Sequence, residues 1–360
     1  MTDSTQNVGT RPVADAHRFD VAALEEYLRG QIPGFRGPLE VAQFKGGQSN
    51  PTYKLDAGGR SFVLRRKPPG KLLPSAHAVD REYRVLTALA KTDVPVAHCY
   101  GLCRDDSVIG TMFYVMDFVA GRVLWDPTLP GMQPEERAAL FGELNRVIAA
   151  LHFVDYQDVG LGDFGKPGNY FARQIARWSK QYRASELDRI DAMHHLMAWL
   201  PEHIPPGDET CIVHGDYRLD NVIFHPAEPR ILAVLDWELS TLGHPMADLS
   251  YHMMAWRLSG DDFRGLRGSN LAALGIPTER AYLDAYLRRT GRTRRPTEDE
   301  WRFYLAYNMF RLAAILQGVM ARAVAGNAAS AQAQDAGRRA RPIAELGWAQ
   351  VEPRAASQGT

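Results

Sequence analysis

One polar loop held between apolar runs constrains this chain more than any other feature. Ile212-Val213 leads into His214-Gly215-Asp216-Tyr217-Arg218-Leu219-Asp220-Asn221, and Val222-Ile223-Phe224 follows at once. Shortly after, Ile231-Leu232-Ala233-Val234-Leu235 is apolar at every position and ends at Asp236-Trp237-Glu238. Runs of that kind predict short strands covered on both faces. A core then anchors both ends of the loop, and strand, loop and returning strand bring Asp216, Asn221 and Asp236 to one place.

Those three side chains carry a definite chemistry. Asp216 is spaced to orient or accept the proton of an attacking hydroxyl. Asn221 offers a neutral oxygen and Asp236 a carboxylate to a hard cation. An acid at the end of a buried strand is costly unless paired; magnesium supplies the charge, and oxygen donors suit it better than zinc. Arg218 lies between Asp216 and Asn221, where it can neutralise a transferring phosphoryl group. Glu238 is a weaker second metal candidate. Together these are the parts phosphoryl transfer requires. Without that chemistry, the same residues read as a polar turn with Asp and Asn caps.

The rest of the chain divides in character. Residues 1–18 are polar and without period and read as a loose leader. A short helix is expected over Val21–Gly30. Leu39–Phe44, Pro51–Asp56 and Ser61–Arg66 are strand-length runs separated by glycine-bearing turns. A helical spacing of Val79, Val85, Leu86 and Leu89 predicts a helix over Ala76–Lys91, and two more strands are expected at Val96–Leu102 and Thr111–Phe118. Five strands and one main helix make a small antiparallel lobe over 19–118. From Pro134 helices dominate: Pro134–His152, Asn169–Tyr182, Glu186–Leu200, Met246–Leu258, Thr278–Arg289 and Thr297–Met320. They form a larger, mostly helical lobe over 119–350, with the hinge near 117–121. Ala321–Ala336 reads as an exposed helix and 351–360 as a frayed tail. The fold class is α+β in two lobes.

Composition narrows the function by exclusion. Lys plus Arg and Asp plus Glu both number 42, so overall charge recruits neither nucleic acid nor an anionic membrane. Cys99, Cys103 and Cys211 form neither a disulfide framework nor a zinc set. The first residues lack the apolar core of a secretory signal. Phe303–Met320 contains Asn308, Arg311 and Gln317, which favours a buried helix over a membrane span. A cytoplasmic globular protein, monomer or homodimer, is expected.

The loop resembles the catalytic signature of the aminoglycoside phosphotransferase-like branch of the protein-kinase-like fold. His214, Gly215, Asp216 and Asn221 match that signature, Asp236 matches the metal-binding one, and Ala247-Asp248-Leu249-Ser250 matches a segment whose Asp braces the loop. The resemblance implies a two-lobed protein-kinase-like fold, a catalytic Asp216, and magnesium held by Asn221 and Asp236. It also directs attention to the small lobe. In Phe62-Val63-Leu64-Arg65, Phe62 and Leu64 share one face and Val63 and Arg65 the other. Val63 is placed against an adenine and Arg65 against its phosphates. Kinases usually have Lys here, so Arg65 keeps the charge but changes its reach, with Lys67 as the alternative anchor. Glu82 shares a helix face with Val79, Leu86 and Leu89 and wants a cation, which Arg65 supplies. In Lys45-Gly46-Gly47-Gln48-Ser49-Asn50, Gly46, Gly47 and Ser49 allow backbone amides to approach phosphates. Met116 to Phe118 form the linker expected to meet the purine.

The acceptor side is read from an aromatic, basic helix carrying Arg173, Arg177, Trp178, Lys180 and Tyr182, where Arg177, Trp178 and Tyr182 are acceptor candidates. Asp-Tyr-Arg-Leu-Asp-Asn, Leu-Asp-Trp-Glu and Gly243-His244-Pro245 look most like phosphotransferases related to the kinase-like domain of certain acyl-CoA dehydrogenases. The expected activity is magnesium-dependent transfer of the γ-phosphoryl group of ATP or GTP to a small-molecule hydroxyl, the acceptor a hydroxyacyl-CoA or other acidic metabolite. An aminoglycoside kinase and a non-catalytic nucleotide-binding scaffold are the alternatives. Trp237-Glu238 runs within a few residues to Gly243-His244-Pro245, leaving little room for a peptide-docking loop.

Overall fold

The computed structural model describes residues 9–45, 50–68, 77–324 and 331–352. They form two compact units. The first takes residues up to Trp125 together with Tyr156–Phe164 and Leu219–Ser240, and the second takes the remainder. The chain therefore passes between the units several times, and a single cut at 117–121 does not describe it.

The first unit is built on a six-stranded antiparallel sheet in the order β1-β2-β3-β4-β6-β5. The strands are β1 (Thr10–Arg11), β2 (Glu40–Phe44), β3 (Thr52–Ala57), β4 (Arg60–Arg66), β5 (Cys99–Cys103) and β6 (Phe113–Asp117). Alternation decides what each face does. Phe62 and Leu64 of β4 join Tyr53, Leu55, Phe113 and Val115 in a core covered by Leu24, Leu28 and Ile32 of helix α1 (Val21–Gln31). Val63 and Arg65 are the intervening residues, and in the β4–β6 register they pair with Met116 and Tyr114. Helix α2 (Val79–Leu89) buries Val79, Glu82, Val85, Leu86 and Leu89, the stripe its periodicity predicts. A short turn of helix, α3 (Asp106–Ile109), precedes β6.

Residues 10–17, expected in a loose leader, are part of this unit. Thr10 and Arg11 pair with Phe44 and Gln43. The His17 carbonyl accepts from Tyr53 Oη at 3.2 Å and from Arg66 Nη2 at 3.0 Å. A buried guanidinium needs acceptors, and this segment supplies one.

The first unit also holds the hairpin β8 (Val222–Phe224) and β9 (Ile231–Val234). Arg81 of α2 ties in the two segments contributed from farther along the chain, donating to the carbonyls of Phe164 at 2.6 Å and Ser240 at 3.4 Å.

The second unit is mostly helical: α4 (Pro134–Phe153), α5 (Tyr170–Ser185), α6 (Asp191–Glu202), α7 (Pro245–Met253), short α8 (Gly260–Phe263) and α9 (Leu271–Leu274), then α10 (Glu279–Arg289) and α11 (Glu298–Val324). Strands β7 (Cys211–Val213) and β10 (Thr241–Gly243) pair antiparallel within it. Helix α11 is buried almost all round from Glu300 to Gly318. Its polar residues are accommodated by hydrogen bonds, as when Asn308 Nδ2 donates to the Ala247 carbonyl at 2.9 Å. Among the described residues no helix is long and apolar enough to cross a membrane.

Two boundaries depart from expectation. The helix expected over Glu186–Leu200 begins only at Asp191, because Glu186 is extended and its carboxylate is shared between Tyr182 Oη at 3.4 Å and His194 Nε2 at 2.7 Å. The Ala321–Ala336 helix is also not continuous. Helix α11 ends at Val324, residues 325–330 lie outside the described residues, and α12 covers Ala331–Arg338. Helix α13 (Ala340–Val351) follows and was not anticipated, although its buried Ala340, Ile343, Ala344 and Gly347 have helical spacing. A Cβ at Gly347 would stand 2.9 Å from Met309 Cβ, so α13 approaches α11 closely because that position is glycine.

Candidate active site

In the first unit the site is built around a buried ion pair. Arg65 Nε lies 3.1 Å from Glu82 Oε2, and Arg65 Nη2 lies 3.4 Å from Asp236 Oδ1. Glu82 is 1% exposed and takes two more hydrogen bonds, from Asn50 Nδ2 at 2.7 Å and Tyr114 Oη at 3.0 Å. Burial works against the charge of Arg65. Glu82 above all, then Tyr114, Asp236 and Glu238, raise its pKa and keep the guanidinium charged. Burial pushes the Glu82 carboxyl up while Arg65 opposes it. Lys67 is turned elsewhere, 4.0 Å from Asp80 Oδ1, so Arg65 is the cation that meets Glu82.

Asn221 and Asp236 are brought together by strand register. Val222 pairs with Val234, and the Leu235 N–H donates to the Asn221 carbonyl at 2.8 Å, so the two candidate ligands close the same end of the β8–β9 hairpin. Asp236 has φ 62° and ψ 60°, a left-handed conformation uncommon outside glycine, and its side chain is 37% exposed. Strained residues of this kind cluster where function fixes a side chain. Among the described residues no group of three or more His, Cys, Asp and Glu is gathered as in a metal centre made wholly of protein ligands.

The purine-side candidates share this unit. Val63 and Met116 pair across β4 and β6 and are each 8% exposed. Phe118 stacks with Phe44, ring centroids 6.4 Å apart, and Lys54 lies over the Phe118 ring at 5.3 Å. Gly46, Gly47 and Ser49 lie outside the described residues.

In the second unit the loop before Asp216 is held by its backbone. Asp248 Oδ2 accepts the His214 N–H at 2.7 Å, and Oδ1 accepts the Gly215 N–H at 2.8 Å. His152 Nε2 stands 3.1 Å from Asp248 Oδ2, and its Nδ1 stands 2.7 Å from Tyr286 Oη. Burial alone would raise the Asp248 carboxyl, but His152 and then His214 hold it below the ordinary carboxylate range. The next residue, Gly215, has φ 83°, which favours glycine. Its carbonyl accepts from Arg311 Nη2 at 2.6 Å.

Arg218 lies on Asp216, Nε 3.0 Å from Oδ1 and Nη2 3.3 Å from Oδ2. Arg218, expected to neutralise a transferring phosphoryl group, here meets the Asp216 carboxylate. Tyr251 faces the same aspartate, and its hydroxyl is pushed up by burial and then by Asp216. Of the acceptor candidates, Arg177 is exposed, whereas Trp178 is 4% and Tyr182 0% exposed. Tyr182 therefore serves the core of this unit and not an open surface, with burial raising its hydroxyl to about 12. Asn50, Tyr114, His152, Tyr286 and Arg311 were not singled out as site residues from the sequence. Tyr114 was within reach of that reading, since it lies opposite Arg65 in the strand register.

Known proteins decide what such a constellation belongs to. Residues 40–304 match the phosphotransferase enzyme family. The chain belongs to that family. Mouse acyl-CoA dehydrogenase family member 10 is 48% identical over 342 residues, which are 94% of this phosphotransferase but 32% of the mouse protein. The rat family member 11 is matched over 44% of its length, so this phosphotransferase spans less than half of these curated relatives. The crystal structure of a candidate aminoglycoside phosphotransferase from Ralstonia eutropha JMP134 is 60% identical with a TM-score of 0.85, covering 92% of this chain and 98% of that one. Aminoglycoside phosphotransferase APH(4)-Ia, solved with AMP-PNP and hygromycin B, is 16% identical with a TM-score of 0.59, covering 92% and 99%. At that identity the likeness shows the fold, which is the kinase-like α+β fold of the family.

Proposed function

We propose that this phosphotransferase moves the γ-phosphoryl group of ATP or GTP, with magnesium, to a hydroxyl of an acidic small molecule, a hydroxyacyl-CoA or a related hydroxy acid. The observation that carries the reading is the buried Arg65–Glu82 pair with Asp236 beside it. It joins a fixed cation for phosphates to a carboxylate for metal. Asn221 and Asp236 are oxygen donors ending one hairpin, and Asp236 keeps a third of its side chain exposed. That donor set fits a magnesium ion that takes the remainder of its shell from water and phosphate oxygens. When bound, magnesium neutralises charge on the phosphate oxygens.

The other roles fall to the chain's own groups. Arg65 holds the phosphates and Glu82 holds Arg65. Val63, Met116 and Phe118 bound the purine. Asp216 accepts the hydroxyl proton, and Arg218, released from Asp216, meets the transferring group. Support for an acidic acceptor comes from exposed Arg177 and Lys180 on α5 and from the acyl-CoA dehydrogenase naming of the relatives. Aminoglycosides are polycations and would meet like charge there.

Nucleotide consumption across 3-hydroxyacyl-CoAs, hydroxy acids and kanamycin-type sugars tests the acceptor. Preferred turnover of the sugars would reject it. Asp216→Asn is expected to cut turnover about a thousandfold while leaving nucleotide affinity nearly unchanged. Full activity in that variant would remove Asp216 from the chemistry.

A further inference from the structure

Arg311 of α11 is 5% exposed, and the hydrogen bond described for its guanidinium goes to a neutral group, the Gly215 carbonyl. It packs over the rings of Tyr251, 5.0 Å from the centroid, and Trp178, 5.7 Å away. The groups that act on its charge are Tyr307, Tyr170 and Tyr251, which are neutral phenols, and one carboxylate, Asp216. That carboxylate already receives Arg218 on both oxygens. The indole Nε1 of Trp178 is buried and donates to no described group. Arg177, exposed, lies over the same indole at 5.4 Å and is near enough to act on Tyr307. A buried cation thus packs against a ring whose buried N–H donates to no described group, and a second cation lies over the same ring. Burying the cation or the N–H is costly unless an acceptor, and for the cation an opposite charge, is met.

We infer that Arg311, with Trp178 Nε1 as a second donor and Arg177 at the rim, receives an oxyanion of the phosphoryl acceptor, either the carboxylate of a hydroxy acid or a phosphate of its coenzyme A ester. The assignment rests on the acceptor class proposed above and makes Arg311 the residue that selects it. Its bond to the Gly215 carbonyl fixes the guanidinium one residue from Asp216, so an anion held there also sets how a nearby hydroxyl approaches the proton acceptor. A planar fork suits carboxylate or phosphate oxygens, whereas a polycationic sugar meets repulsion. Trp178 acts here as a donor within the second unit and as the plate on which Arg311 rests.

The test uses 3-hydroxybutyrate, 3-hydroxybutyryl-CoA and the neutral 3-hydroxybutyramide with the full chain, as wild type, Arg311→Met and Arg177→Ala. Arg311→Met is expected to lower kcat/KM on a charged acceptor at least about tenfold more than on the amide. A selective fall for the free acid assigns the carboxylate, and one confined to the ester assigns the phosphate. An equal fall on charged and neutral acceptors shows that Arg311 serves only the loop and overturns the inference, as does no fall at all. Turnover of none of the three rejects the acceptor class by itself. The anion site is then judged by binding, with 3-hydroxybutyrate and 3-hydroxybutyryl-CoA titrated by tryptophan fluorescence against wild type and Arg177→Ala, whose exposed substitution spares the core. A saturable change in wild type, weakened about twofold to fivefold in Arg177→Ala, supports the site. Equal affinity in both, or no saturable change with either ligand, overturns it.

Discussion

The two units fix their functional side chains by different means. In the first, a side chain holds a side chain: Glu82 receives Arg65, Asn50 and Tyr114. In the second, a side chain holds the main chain: Asp248 takes the N–H groups of His214 and Gly215, and Arg311 takes the Gly215 carbonyl. The first device sets the position of one charge and leaves the strands to the sheet. The second sets the path of the backbone itself, because its bonds go to main-chain N–H and C=O groups of the loop. Loss of the first should therefore be read in nucleotide affinity, and loss of the second in folding and turnover together.

Asp248→Ala is the largest break. It leaves two buried N–H groups and His152 without their acceptor, and removing one member of such a network costs about 3–5 kcal/mol. Urea unfolding should show that loss, and turnover should fall with it. A variant that lost only nucleotide affinity would erase the distinction between the two units. Arg65→Lys comes next. It keeps the charge but cannot reach Glu82 and Asp236 with a planar fork, so KM for nucleotide should rise about tenfold with stability little changed. An unchanged KM would mean that the phosphates are anchored elsewhere.

Acid separates the units as well. Burial lowers His252 to about 4 from an ordinary 6.5, and His244 likewise. The unfolded chain takes those protons as pH falls past 6.5, while the folded chain does so only near 4. The stability they contribute is complete above 6.5 and is lost as pH falls across that window. Asp248, held below the usual range, contributes stability above the unfolded value of 3.8 that is lost as pH falls further, through its folded pKa. Glu82 works the other way, since protonation relieves its burial. Melting temperature should therefore begin to fall near pH 6.5, and His252→Gln should make the fall down to 4 shallower, leaving the part that His244 contributes. A wild-type curve level from 7 to 4 would contradict this.

Much of this was legible in the sequence, and the reason is periodicity. Alternation in Phe62-Val63-Leu64-Arg65 separates a core face from a functional face, and the stripe from Val79 to Leu89 puts Glu82 where a cation must be. The apolar runs around Asp216 and Asp236 predicted their strands for the same reason. What periodicity does not carry is contact between distant segments. Nothing local marks Arg311, ninety-six positions from the Gly215 carbonyl it holds, or His152, equally far from Asp248. Asn50 lies in a turn whose composition suits phosphates, and its bond to Glu82 has no local signature. Residues 10–17 carry no local signal because their partners, Phe44 and Gln43 for Thr10 and Arg11 and Tyr53 and Arg66 for His17, lie on other strands.

Tyr114→Phe is the smallest and most discriminating change. The hydroxyl donates to Glu82 Oε2 at 3.0 Å, the same oxygen that meets Arg65 Nε at 3.1 Å. Phenylalanine keeps the ring, its place in the sheet and its contact with Tyr83, whose ring centroid is 6.2 Å away. Only one donor is lost. A hydrogen bond to a charged group is worth about 1.5–3 kcal/mol, but Asn50 and Arg65 remain on the carboxylate, so the cost should fall near or below the lower end of that range. If the Glu82 cluster acts by placing Arg65, the loss appears as a rise of up to about tenfold in nucleotide KM with kcat unchanged, because the interaction is uniform between ground and transition states. If the cluster instead supports the fold as Asp248 does, the same energy appears in urea unfolding and KM stays still. Measuring both on one variant decides which description fits the first unit.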